Sequence, residues 1–173
     1  IVTAAPHQSG KDEYLMILMI LALDIDVCYL SAKWTMRRIP IPFVKPKDID
    51  NQGIPWPLGW LQEIVFRKFG AIPVDRKGNS GQYDSVVQEL LKRDNFLLII
   101  TPEGRFDATR FRSSFLYLAK ELEAEVMPVQ IDYEHDTLQF LDSLNLDGSE
   151  DEVIQRLRSC FDGVKGRKSR FKA

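Results

Sequence analysis

The residues able to do acid–base chemistry stand at the start of the chain. Ile1 to Tyr14 reads IVTAAPHQSGKDEY: a short apolar run, Pro6, then His7 and, five places on, Asp12, in a polar insert before the apolar run Leu15–Leu23. Short apolar runs bounded by breakers suit buried strands, and Ser9-Gly10-Lys11-Asp12 has the form of a capping box that opens a helix. The pattern predicts a strand feeding a helix through a loop, with His7 at the strand's carboxyl end. In open α/β sheets that edge is where ligands bind. The partial positive charge of a helix start disfavours imidazolium, so His7 is expected to stay neutral and able to accept a proton. Asp12 can fix its tautomer and stabilise the imidazolium that forms. Two plainer readings stand beside this one: Asp12 as the reciprocal cap at the third helical position, and His7 as a loop histidine without a task. A phosphate loop is excluded, because Ala5 replaces the first glycine of that motif and Asp12 replaces the hydroxyl that would hold magnesium.

Two more polar sets follow apolar runs in the same way. Gly70 to Lys77 (GAIPVDRK) reads as a short strand ending in Asp75-Arg76-Lys77, and Phe96 to Thr101 (FLLIIT) as a buried strand followed at once by Pro102-Glu103-Gly104-Arg105. In parallel strands, His7/Asp12, Asp75/Arg76 and Glu103/Arg105 gather on one sheet edge. Together they supply a base, an orienting carboxylate, a cation for a phosphate or carboxylate, and a second acid beside a glycine-opened backbone. No Ser or Cys nucleophile is paired with the base, so the chemistry indicated is direct attack by a substrate hydroxyl that His7 deprotonates.

The elements that must position these groups are legible in order. Leu15–Leu23 is apolar on every side and is expected to be a helix buried on both flanks, with the wall of an acyl-chain channel as the alternative. Asp26 to Ala32 reads as a strand, followed by a basic stretch and a proline-rich connection. Gly53 to Trp60 (GIPWPLGW) is breaker-rich and precedes an apolar and basic helix, LQEIVFRKF. Tryptophan beside basic residues suits a membrane interface, and loop packing is the plainer reading. An amphipathic helix with Val86, Val87, Leu90 and Leu91, a helix over about Ser113–Glu123, a strand at Val126–Asp132, an edge strand at Thr137–Leu141 and a closing helix at Glu150–Asp162 complete the chain. Strands alternating with helices predict an α/β layered fold, a largely parallel mixed sheet flanked by helices, in one domain over 1–173.

The 173 residues are 45% hydrophobic with a net charge of −2, which suits a sizeable core and gives no footprint for nucleic acid. Two cysteines and two histidines are too few for a disulfide framework or a zinc site. No metal and no resident cofactor are expected. The basic end, Lys165 to Lys172, reads as a solvated tail or as a contact for an anionic membrane. The chain opens without methionine inside a strand-like run, as expected where an amino-terminal segment, with any anchor it carries, lies outside this sequence.

His7-Gln-Ser-Gly-Lys-Asp12 resembles the H-x4-D block of the glycerolipid acyltransferases, the lysophosphatidate and glycerol-3-phosphate acyltransferase superfamily. Gly70-Ala-Ile-Pro-Val-Asp-Arg76 resembles the second block, Pro102-Glu103-Gly104 the P-E-G-T-R block, and Val126-Met-Pro128-Val the proline block; the ending is similar to the short bacterial members. The resemblance implies transfer of a fatty acyl group from a coenzyme A or acyl carrier protein thioester to a lysophospholipid, glycerol phosphate or related lipid hydroxyl. It implies His7 as general base, Asp12 as its partner, and Arg76, Glu103, Gly104 and Arg105 as acceptor-binding groups. It also implies work at the cytoplasmic face of a membrane, held there peripherally or by a segment outside this sequence. One departure stands out: Arg105 and Phe106 occupy the places of the block's threonine and arginine. Either Arg105, Arg110 or Arg112 replaces the missing cation, or the acceptor carries no phosphate. The alternative function is a lipid-binding or membrane-docking protein on the same scaffold.

Overall fold

A computed structural model of the chain describes residues 1–5, 12, 15, 18, 22, 26–39, 54–74, 81–104 and 110–166. In chain order the elements are β1 (Val2–Ala5), β2 (Val27–Ala32), a 3-10 turn (Lys33–Met36), β3 (Arg38–Ile39), β4 (Ile54–Pro55), α1 (Gly59–Lys68), β5 (Ala71–Val74), α2 (Gly81–Leu90), β6 (Leu97–Ile100), α3 (Ser114–Glu121), β7 (Met127–Asp132), β8 (Thr137–Phe140) and α4 (Glu150–Ser159). Asp12, Leu15, Leu18 and Ala22 are helical and lie between β1 and β2. The chain divides into two compact units, 1–25 with 97–173, and 26–96.

In the first unit β1 pairs in parallel with β6 on one side (Val2↔Ile99, Thr3↔Ile100) and with β7 on the other (Val2↔Met127, Ala5↔Gln130). β8 turns back antiparallel on β7, as its short mixed pattern predicts of an edge strand. β6 is an unbroken apolar run, as a parallel strand covered on both faces requires; Leu98, Ile99 and Ile100 are all buried. α3 buries Phe115, Leu116, Leu118 and Ala119, and α4 buries Val153 and Leu157. Phe161, just past α4, meets Phe111 edge to face at 5.8 Å. Ser149 caps α4: its backbone N–H donates to Glu152 Oε2 at 2.7 Å, and the Glu152 N–H donates to Ser149 Oγ at 3.3 Å.

In the second unit β2 pairs in parallel with β5 (Tyr29↔Ala71, Ala32↔Val74). β3 and β4 form a two-residue antiparallel pair, Ile39↔Ile54, too short to leave a period in the sequence. α2 buries Val86, Val87 and Leu90. Leu91 was expected on that face but is 58% exposed, because the helix ends at Leu90 and the chain turns away. Arg93 donates to both oxygens of Asp26, at 2.8 and 2.9 Å. Cys28 is wholly buried, and that burial pushes its thiol up to about 12.

The pairing is parallel throughout except at β3–β4 and β7–β8, so the fold is α/β, with a largely parallel mixed sheet flanked by helices, as the alternation of runs predicts. One expectation is overturned. The helix through Asp12 is not buried on both flanks: Leu15, Leu18 and Ala22 are exposed, Leu18 to 62%. These positions recur at helical spacing, so they form one outward arc, while Asp12 lies inside. An apolar residue type does not say whether a neighbour covers it.

Candidate active site

Because β6, β1 and β7 are adjacent parallel strands, their carboxyl ends open on one edge of the sheet. Each is followed there by polar chemistry. After β1 comes the helix carrying Asp12; after β6 comes the turn Thr101–Gly104; one residue past β7 stands Tyr133.

Asp12 is fully buried, and the Tyr133 hydroxyl donates to its Oδ1 at 2.5 Å. A buried carboxylate is tolerated only where donors replace the water it has lost, and the phenol is one such donor. Tyr133 is itself tied down by the carboxyl-terminal segment. Its backbone N–H donates to the Lys165 carbonyl at 2.9 Å, and Lys165 Nζ donates to Glu134 Oε1 at 2.6 Å. In the same turn His135 Nδ1 lies 2.7 Å from Asp132 Oδ2. That contact, with the charge attraction behind it, raises the His135 pKa and, together with the Glu134 backbone N–H, lowers that of Asp132.

Glu103 is 2% exposed, inside a turn closed by the Gly104 N–H donating to the Thr101 carbonyl at 2.9 Å. Gly104 has φ +66°, a conformation that only glycine adopts freely. A Cβ at Gly104 would stand 3.3 Å from Arg112 Cδ and Nε, so the arginine stem lies directly against the turn. The Arg112 N–H also donates to the Pro102 carbonyl at 2.8 Å, which brings the chain back across the turn it left eight residues earlier. Of the three arginines that could supply a cation here, Arg112 is described against the turn, Arg110 is exposed, and Arg105 lies outside the described residues.

Asp12, Glu103 and Gly104 therefore occupy the edge expected of them. His7, Arg76 and Arg105 lie outside the described residues, as does Asp75. Tyr133 was not foreseen. It obeys the rule that picked out Glu103, a polar group directly after an apolar strand run, but tyrosine at a strand end reads first as a β-former. Among the described residues no group of His, Cys, Asp and Glu is placed to hold a metal ion, and no helix is long and apolar enough to cross a membrane.

Residues 56–132 match the family model for Acyltransferase. No curated protein matches the chain. The matched span contains the Glu103-Gly104 turn, the Arg76 position and the proline block Val126-Met-Pro128-Val; it begins after Asp12. With the α/β fold and the Glu103-Gly104 turn at the carboxyl edge of its parallel strands, the chain is similar over residues 56–132 to the acyltransferase family, a match that supports acyl transfer in general.

Proposed function

We propose that the chain moves a fatty acyl group from a coenzyme A or acyl carrier protein thioester to a hydroxyl of a lysophospholipid, glycerol phosphate or related lipid. His7 takes the hydroxyl proton as the new C–O bond forms at the thioester carbonyl. When the C–S bond breaks, the departing thiolate recovers that proton from the imidazolium. Asp12 orients the ring and offsets its transient charge. Arg76, Arg105 and the Glu103-Gly104 turn hold the acceptor, and Arg112, lying against Gly104, is a further cation for its phosphate. The work is done at the cytoplasmic face of a membrane, where the protein is bound peripherally or through a segment outside this sequence.

The observation that carries the reading is the burial of Asp12 on the edge it shares with the Glu103 turn. A carboxylate sealed from water acts as a fixed charge for one neighbour, which is the role an orienting acid needs. General-base help is worth about 10² to 10⁴ in rate. The test is release of free thiol from both donor types across a panel of acceptors. His7→Ala should lower it by about that factor; a folded variant turning over like the wild type removes His7 as the base.

The second reading, a lipid-binding protein on this scaffold, draws on the Arg105-Phe106 departure. Vesicle binding that survives His7→Ala, with no turnover on any acceptor, favours it.

A further inference from the structure

α1 is folded with its apolar side outward. At about 100° per residue, Arg67, Trp60, Ile64, Lys68, Leu61 and Val65 follow one another around a single arc, and every one is exposed: Trp60 to 56%, Ile64 to 53%, Leu61 to 43% and Val65 to 42%. The opposite arc holds Gly59, Gln62, Glu63 and Phe66, of which only Gly59 is buried. A helix that merely covers a core shows the reverse arrangement.

The inner arc is held in place by specific contacts. A Cβ on Gly59 would stand 2.7 Å from the Arg37 carbonyl oxygen, so the helix start approaches that backbone as only glycine allows. Trp56 Nε1 donates to Gln62 Oε1 at 2.7 Å, and Gln62 Nε2 donates to the Arg38 carbonyl at 3.2 Å. Glu63 is tied to both Arg37 and Arg67. The polar inner arc anchors the helix and leaves the Trp60–Ile64 arc pointing out.

Charge selects the occupant. The described stretches 33–39 and 54–74 carry Lys33, Arg37, Arg38, Arg67 and Lys68 against the single acid Glu63, in a chain whose net charge is −2. An arc of tryptophan and aliphatic side chains with Lys68 among them and Arg67 at its edge fits the boundary between headgroups and acyl chains.

We propose that the outward arc of α1 docks on an anionic lipid bilayer. The proposal rests on the reading above that the acyl acceptor is a lipid, and it names the surface that brings the chain to it.

The test is co-sedimentation with vesicles of phosphatidylcholine alone and of equimolar phosphatidylcholine and phosphatidylglycerol. The wild type should bind the mixed vesicles more tightly, and added salt should weaken the binding. Trp60→Ser combined with Ile64→Gln should weaken it roughly tenfold. Lys68→Glu should weaken it about fivefold, and only on the anionic vesicles. The double variant should keep its circular dichroism and its thiol release with a short-chain, monomeric acceptor. Wild-type failure to bind the mixed vesicles overturns the proposal, as does a folded double variant that binds like the wild type. A wild-type dimer that the double variant dissociates, with vesicle binding unchanged, assigns the arc to a second copy instead. His7→Ala separates the two readings: lost turnover with binding intact supports both, and retained turnover removes the base while leaving the docking surface standing.

Discussion

α3, SFLYLAKE, and α1, GWLQEIVFRK, each carry five hydrophobic residues, yet α3 buries four of them and α1 buries none, only Gly59. The first helix lies in the unit that holds Asp12, Glu103 and Tyr133, and its apolar side chains are core. The second presents most of its apolar residues outward, with Lys68 among them and Arg67 beside them. Composition measures how much apolar surface an element has, and neighbours decide whether it becomes core or contact surface.

The sharpest way to break that contrast is at the edge itself. Asp12→Asn keeps the shape but lets the amide hold a ring in the wrong tautomer, so initial rates of thiol release should fall by up to about 10⁴. A change of less than a few-fold would leave Asp12 a capping residue only. Next in size, Phe115→Ala should cost about 3 to 5 kcal/mol of stability, whereas Trp60→Ser should stay within about 0.5 kcal/mol. Urea melts of the two variants compare the helices directly, and equal losses would mean that α1 is also core. Smaller again, Tyr133→Phe removes one donor from a buried carboxylate, about 1 to 3 kcal/mol. The expected readout is a several-fold lower rate with a displaced pH profile, and an unchanged profile would make the phenol purely structural.

The smallest effect is a pH dependence at the turn after β7. Asp132 has its pKa lowered, so its contribution is present above the ordinary carboxylate value and is lost as pH falls through the folded one. His135 has its pKa raised, so its contribution is present below the ordinary imidazole value and is lost as pH rises through the folded one. The pair should therefore support the turn from about pH 4 to about pH 6.5. Melting curves of His135→Asn against wild type should diverge most inside that window and converge only below the folded Asp132 value and above the folded His135 value.

Much of the fold was legible because its strands are short apolar runs closed by breakers. FLLIIT and VMPVQID gave β6 and β7 to within a residue, and the position of Glu103 followed from the first of them. The β3–β4 pair was not legible, since two residues a side leave no alternation to read. Tyr133 was hidden for another reason: its partner stands 121 positions away, and no local rule joins an aromatic in one loop to a carboxylate in another.

From the residue order alone came the α/β class and the polar groups, Asp12 and Glu103 among them, that follow strands. Local spacing sets those, because strand and helix periods are properties of neighbouring residues. Only the tertiary structure decided that Asp12 is sealed against Tyr133, that Arg112 lies on Gly104, and that Leu15, Leu18 and the tryptophan of α1 face outward. Burial belongs to the space around a side chain, and that space is filled by segments the local pattern cannot see.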